Sequence, residues 1–166
     1  IQGITGAELS LTAKIDDAQS QVNLLNEKGI LTVFNSYGSG WKVWGNRSSA
    51  WPTETDWETF ICVRRTKDII DESIRYSSAQ FMDRPIDKAL IDTILESVNQ
   101  FFRKLQGDGA IMGGLAWFDQ ARNPDTKIKA GHLLIQYKFT PKPPLERLTY
   151  ESELTGEYLV SLSGGE

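Results

Sequence analysis

Residues 87–106 read DKALIDTILESVNQFFRKLQ, and this stretch decides the fold class. Its large apolar side chains recur at steps of three and four residues, which places them on one stripe of an α-helix. They are Leu90, Ile91, Ile94, Leu95, Val98, Phe101, Phe102 and Leu105. Asp83-Arg84-Pro85 precedes the stretch as a start signal, and Gly107 follows it as a stop signal. The pattern predicts a long amphipathic helix with one face on a core.

Shorter elements are predicted on both sides of this helix. One helix should run from about Asp17 to Lys28, and another from about Thr66, as its N-cap, to near Ser78. Short β-rich runs predict strands at residues 30–34, 41–44, 60–64, 115–118 and 132–139. The last run alternates cleanly, and the loop 120–129 should join it to the preceding strand as a hairpin. The predicted fold is α+β, a mixed β-sheet of about five strands packed by two or three helices.

The carboxy-terminal segment differs in character from the rest of the chain. Residues 1–145 hold 17 acidic and 17 basic side chains, so the net charge of −4 arises entirely in residues 146–166. Pro141, Pro143 and Pro144 favour an extended path, and they predict a hinge. We therefore divide the chain into a core domain, residues 1–145, and an extended arm, residues 146–166. The arm contains a strand-like run with no evident partner upstream: Tyr158, Leu159, Val160, Ser161 and Leu162.

The composition argues against catalysis and against several kinds of partner. His132 is the only histidine and Cys62 the only cysteine, too few for the usual zinc sites. We predict that Cys62 is a small buried hydrophobe and that His132 is a solvated strand-end residue. The sequence has no basic stripe for nucleic acid and no apolar run of roughly 18 residues for a membrane span. We expect no enzyme activity, no catalytic residue, no metal, no cofactor and no small-molecule substrate.

Trp41 and Trp44 leave two readings open. They could form a platform on which a ligand stacks, or they could pack in a core or interface, which we favour. The first interpretation is compatible with two other functions: a small enzyme domain that uses these rings with nearby carboxylates, or a ligand-binding module on the same scaffold.

Several motifs, taken in order, resemble the C-terminal region of contractile phage tail sheath proteins. They are Leu24-Leu25-Asn26-Glu27-Lys28-Gly29-Ile30, Trp44-Gly45-Asn46-Arg47, Val63-Arg64-Arg65, the long helix, Ala116-Trp117-Phe118-Asp119, Lys129-Ala130-Gly131-His132-Leu133, the run from Tyr137 to Glu146, and Tyr158-Leu159-Val160. The similarity covers about residues 23–162 and is strongest to sheaths of small temperate myophages. Arg47-Ser48-Ser49 departs from the family's usual arginine-threonine, and residues 1–22 carry no recognisable motif.

The resemblance implies a structural role in a longer protein. Sheath subunits stack as hexameric rings around a tail tube and contract to drive the tube through the host envelope. The implied partners are other copies of the sheath, the tube protein, the baseplate and the tail terminator, in the virion tail after assembly in the host cytoplasm. Residues 44–47 would be a packing motif, Arg64 and Arg65 a basic strand end, and residues 158–162 a strand added to another subunit. The alternative within this class is the sheath of a phage-tail-like bacteriocin or related injection device.

Overall fold

The computed structural model describes residue 11, residues 17–36, residues 40–156 and residue 158. Their helices are α1 (Gln21–Glu27), α2 (Ile61–Ser78), α3 (Lys88–Gly107) and α4 (Asp125–Lys129). Their strands are β1 (Thr32–Ser36), β2 (Gly40–Trp44), β3 (Ile111–Phe118) and β4 (Ile135–Pro141). The α+β class is confirmed. The four described strands lie in two antiparallel sheets of two strands each, so the predicted number of about five strands is approximate.

The long helix predicted from the apolar stripe is confirmed as α3. Asp87 caps it by accepting a hydrogen bond from the Leu90 amide at 2.6 Å. Its buried side chains are spaced four residues apart: Leu90, Ile94, Val98 and Phe102. Beyond its last residue, Gly107, the chain turns at Gly109, whose φ of +77° suits glycine.

The main core lies between α3 and the β3–β4 hairpin. Phe102, 1% exposed, stacks on Phe139 with ring centroids 6.0 Å apart. Gly114 makes room for this ring, because a Cβ there would lie 2.8 Å from Phe102 Cγ. Asn99 also joins the helix to the sheet: its side chain accepts a hydrogen bond from the Ala116 amide at 2.8 Å and donates one to the Ala116 carbonyl at 3.2 Å.

The predicted hairpin between residues 115–118 and 132–139 is confirmed, with Ala116 opposite Tyr137. Its loop contains the short helix α4 and is held by Asn123, which is 1% exposed. The Asn123 amide nitrogen donates to the Asp119 and Leu134 carbonyls at 2.8 and 3.0 Å, and its oxygen accepts from the Leu134 amide at 2.8 Å. The loop is therefore an ordered part of the hairpin.

The strand predicted at residues 60–64 is wrong, because Ile61–Ser78 forms the single helix α2. Phe60, not Thr66, occupies the N-cap position. The apolar run suits a strand, but Val63 and Ile70 are buried seven residues apart, the spacing of one helical face. The prediction of a buried Cys62 is also wrong: the helix turns Cys62 to the exposed side, one residue before buried Val63.

The amino-terminal part of the described chain forms a second, smaller unit of packing. Helix α1 is shorter than predicted and begins after Ser20, which accepts a hydrogen bond from the Asn23 amide. The β1–β2 hairpin places Trp44 edge-on against Phe34, with ring centroids 5.5 Å apart and an interplanar angle of 86°. The Trp44 indole donates to the Asn23 side chain at 3.2 Å. Trp44 thus contacts both the β1 strand and helix α1.

Candidate functional site

The described part of the arm is extended and exposed. After β4 ends at Pro141, residues 142–156 contain no helix or strand, and every side chain from residue 145 to residue 156 is exposed. Large apolar side chains are among the most accessible in this segment: Leu145 (75%), Tyr150 (84%) and Leu154 (103%). An extended segment that offers apolar groups to solvent has the properties of a segment that binds another surface.

The root of this arm is bound to the core through Arg47. The guanidinium Nε and Nη2 donate to the two carboxylate oxygens of Glu146, at 2.9 and 2.7 Å. Its Nη1 donates to the Thr59 hydroxyl at 2.7 Å. The rings of Phe60 and Trp51 lie 3.6 and 4.2 Å from the guanidinium carbon. We call Arg47, which binds Glu146, together with the three side chains that hold its guanidinium, Trp51, Thr59 and Phe60, the Arg47 cage.

The backbone before Arg47 directs the Arg47 side chain toward the other three residues of the cage. Gly45 has a φ of +117°, and a Cβ at this position would lie 2.9 Å from the Asn26 side-chain oxygen. Arg47 and Phe60 then form an antiparallel bridge. Hydrogen bonds flank this bridge on both sides, from the Ser48 amide to the Thr59 carbonyl (2.7 Å) and from the Ile61 amide to the Asn46 carbonyl (2.9 Å). Backbone pairing thus fixes Arg47 beside the start of α2.

The two partners of the ion pair differ in exposure. The Arg47 side chain is 10% exposed, whereas that of Glu146 is 39% exposed. Planar, two-point binding of a carboxylate by arginine is stronger than a simple surface ion pair, and the stacked rings restrict the guanidinium further. We take the pair to contribute about 1–2 kcal/mol, because water still reaches the glutamate.

A second polar cluster joins α2 to β4. The Tyr137 hydroxyl donates to Asp71 at 2.7 Å, and Lys67 donates to the other Asp71 oxygen at 2.8 Å. Burial by itself raises the pKa of Asp71, but the bonds from Lys67 and Tyr137 outweigh it and hold that pKa below its ordinary value. Burial, and next the bond to Asp71, raise the pKa of Tyr137 to about 12. The cluster ties the two elements together with the carboxylate ionised and the phenol neutral.

The structure brings together only some of the residues predicted from the sequence. Trp44 ends β2, Gly45 and Asn46 follow without helix or strand, and Arg47 then pairs with Phe60 and binds Glu146. Arg64 and Arg65 lie on the exposed side of α2, so the predicted strand end there is wrong; Arg64 pairs with Asp68 at 3.1 Å. Sequence reasoning gave no role to Glu146, Thr59 or Phe60 in binding Arg47. The only signal was that Glu146 ends one of the motifs quoted for the family resemblance.

The predicted hinge and linking strand are only partly placed. Pro141 is buried as the last residue of β4, Pro143 is exposed and Pro144 is half-buried. Tyr158 is 78% exposed. Leu159, Val160, Ser161 and Leu162 lie outside the described residues, so the pairing of this run stays a prediction.

The described surface also contains an apolar groove. An apolar groove of about 940 Å³ lies between the end of α2, the first half of α3 and the start of β4, with exposed His132 on its wall. Trp41 and Trp44 do not line it. Among the described residues, no three His, Cys, Asp or Glu side chains are grouped to hold a metal ion, and no helix is long and apolar enough to cross a membrane.

These features define an α+β domain followed by an extended, exposed segment that Arg47 holds through Glu146. Residues 54–155 match the family described as the phage tail sheath C-terminal domain. The chain belongs to this family, and the resemblance inferred from its motifs is confirmed.

Known relatives carry the same description. The chain is 63% identical over 163 residues to the tail sheath protein of Burkholderia phage BcepMu, covering 98% of this chain and 34% of the relative. It is 32% identical over 162 residues to the tail sheath protein of Escherichia phage P2, covering 98% of this chain and 40% of that protein. The chain thus spans about a third to two fifths of the length of these relatives.

The fold recurs in solved contractile assemblies. A chain of the anti-feeding prophage baseplate matches with a TM-score of 0.71 at 21% identity, covering 80% of this chain and 38% of that one. A chain of the extracellular contractile injection system PVC, in its contracted sheath complex, matches with a TM-score of 0.70 at 16% identity, covering 80% and 39%. At these identities the likeness concerns the fold.

Proposed function

We propose that this chain is the carboxy-terminal domain of a contractile tail sheath subunit, which polymerises as stacked hexameric rings around a tail tube and contracts to drive that tube through the host envelope. The observation that carries the proposal is an exposed arm whose root is fixed to a folded core by Arg47 and Glu146. A segment that is fixed to the core at one end and exposed along the rest of its length can link one subunit to another. Its partners are other copies of the sheath, the tube protein, the baseplate and the tail terminator, in the virion after assembly in the host cytoplasm.

Strand addition is the mechanism by which the arm links subunits. Each described sheet has two strands, so each has outer backbone groups that a further strand can pair with. A strand added to such an edge gains backbone hydrogen bonds whatever its sequence, and its alternate side chains set the register. We assign this role to Tyr158–Leu162, and the acidic side chains of the arm favour a basic receiving surface. The domain itself works as a structural part, without catalysis.

The division into a core, residues 1–145, and an arm, residues 146–166, follows from the same reasoning. Pro141, Pro143 and Pro144 form the hinge at the junction. A hinge before the linking strand allows neighbouring subunits to stay joined while they rotate and slide during contraction.

Deleting residues 147–166 tests the function. The truncated protein should retain its fold, judged by circular dichroism, because it keeps the whole core and Glu146. It should fail to form rings or tubes in electron micrographs of the full-length sheath. A matched control removes only residues 163–166, beyond the proposed linking strand, and should assemble normally. Sheaths that assemble without residues 147–166 would contradict the proposal.

A sheath of a phage-tail-like injection device is the second candidate. The similarity of fold to the anti-feeding prophage and PVC assemblies favours it, and the linking mechanism would be the same. Particles purified from the producing cell distinguish the two: a phage tail is attached to a DNA-filled head, and an injection device is not.

A further inference from the structure

We propose that the Arg47 cage is a carboxylate-binding site whose ligand, Glu146, can leave it, and that this release sets the working length of the arm. We call residues 141–146, held at both ends, the strap. At one end Pro141 is buried in the β3–β4 hairpin, opposite Ile111. At the other end Glu146 is bound by Arg47. The inference rests on the proposed linking role of the arm and extends it.

The cage is built to persist when Glu146 leaves. Arg47 keeps its hydrogen bond to Thr59 and its contacts with the Phe60 and Trp51 rings, none of which involve the arm. Thr59 is 2% exposed and in turn donates to the Asp56 carbonyl at 2.7 Å, so its position does not depend on the arm. Opening the strap therefore leaves the guanidinium stacked and hydrogen-bonded, and it can bind the carboxylate again.

The glutamate is the partner that moves. Its side chain is 39% exposed against 10% for Arg47, so water can solvate the carboxylate as it departs. Lys142, Pro143 and Leu145 beside it are exposed, and Pro144 is half-buried, so little apolar surface holds the strap down. The two-point ion pair is thus the main contact that fixes residue 146.

Release changes the reach of the arm by a definite amount. With the strap closed, the arm starts at Glu146, which Arg47 holds against the core. With the strap open, the arm starts at Pro141 and gains about five residues, or up to about 17 Å. Because Pro143 and Pro144 favour a stiff polyproline path, the released part swings out as a short lever.

The closing experiment measures strap opening in the unassembled chain. Spin labels are placed at the native Cys62, which is exposed, and at an introduced Leu148→Cys, two residues beyond Glu146. Double electron–electron resonance should give a narrow distance distribution for this pair. Glu146→Gln should broaden it and add distances longer by about 10 Å or more, within the reach of the freed segment. Glu151→Gln, which makes the same charge change on the exposed arm, is the matched control and should leave the distribution unchanged.

The outcomes separate cleanly. A Glu146→Gln distribution equal to that of the control overturns the strap. If circular dichroism shows that Glu146→Gln disturbs the fold, the second variant, Arg47→Lys, is used to test strap opening. It keeps the charge but loses two-point binding and should broaden the distribution by less; no broadening overturns the proposal. Because no measurement requires polymerisation, failure of the strap is distinct from failure of the arm deletion to block assembly.

Discussion

Replacing Gly45 by alanine should destabilise the domain by about 2–4 kcal/mol. This value combines the cost of the backbone conformation, the cost of close contacts and a smaller offset from the unfolded chain. Gly45 has a φ of +117°, a conformation that costs other residues about 1–3 kcal/mol. The added methyl group would lie 2.9 Å from Asn26 Oδ1 and 3.1 Å from Leu31 Cδ2, and such overpacking costs about 1–3 kcal/mol. Loss of conformational freedom in the unfolded chain offsets about 0.4–1 kcal/mol.

The assay is equilibrium unfolding in urea, followed by tryptophan fluorescence. Gly107→Ala is the matched control, because Gly107 is exposed in the last turn of α3 and a Cβ there meets no atom within 4 Å. It should leave the free energy of unfolding unchanged or raise it by up to about 1 kcal/mol. If Gly45→Ala lowers that free energy by less than about 1 kcal/mol, the backbone conformation and close packing at Gly45 do not impose the constraint described.

Two further substitutions test the core in the same assay. Tyr137→Phe should reduce the loss of stability at alkaline pH. The phenol of Tyr137 ionises near pH 10 in the unfolded chain, but its pKa is raised to about 12 in the folded protein. Between these two pH values the unfolded state therefore loses a proton that the folded state keeps, which favours unfolding. The wild-type free energy of unfolding should therefore fall across this window more steeply than that of the variant, and parallel pH profiles would refute the assignment. Asn123→Ala should lower the free energy of unfolding by about 2–4 kcal/mol, because it removes three buried hydrogen bonds and leaves the Leu134 amide unpaired. Hydrogen exchange at Leu134 should accelerate, whereas the exposed control Asn35→Ala should change neither measurement.

Local periodicity predicted the elements whose side chains pack on one face. The four-residue spacing from Leu90 to Phe102 identified α3, and the alternation after His132 identified β4. The start of α2 was missed because Phe60-Ile61-Cys62-Val63 is too short an apolar run to distinguish a strand from a helix. The error about Cys62 follows directly, since the phase of the helix decides which way that side chain faces.

The anchoring site could not be derived from local pattern. Arg47 and Glu146 are 99 positions apart, and no periodicity links residues at that separation. Each residue lies in a motif that carried the family resemblance, but the resemblance did not indicate that the two residues contact each other. Their partnership emerged only when the fold brought the start of α2 beside the end of β4.

The side chain of Asn99 has a consequence for strand pairing at one edge of the β3–β4 hairpin. It occupies both backbone groups of Ala116, on the side of β3 away from β4, and so interrupts that rim of the hairpin. A strand arriving there would have to displace the asparagine. The occupied rim thus resists stray edge-to-edge pairing, which is a common route to aggregation of β-sheet proteins.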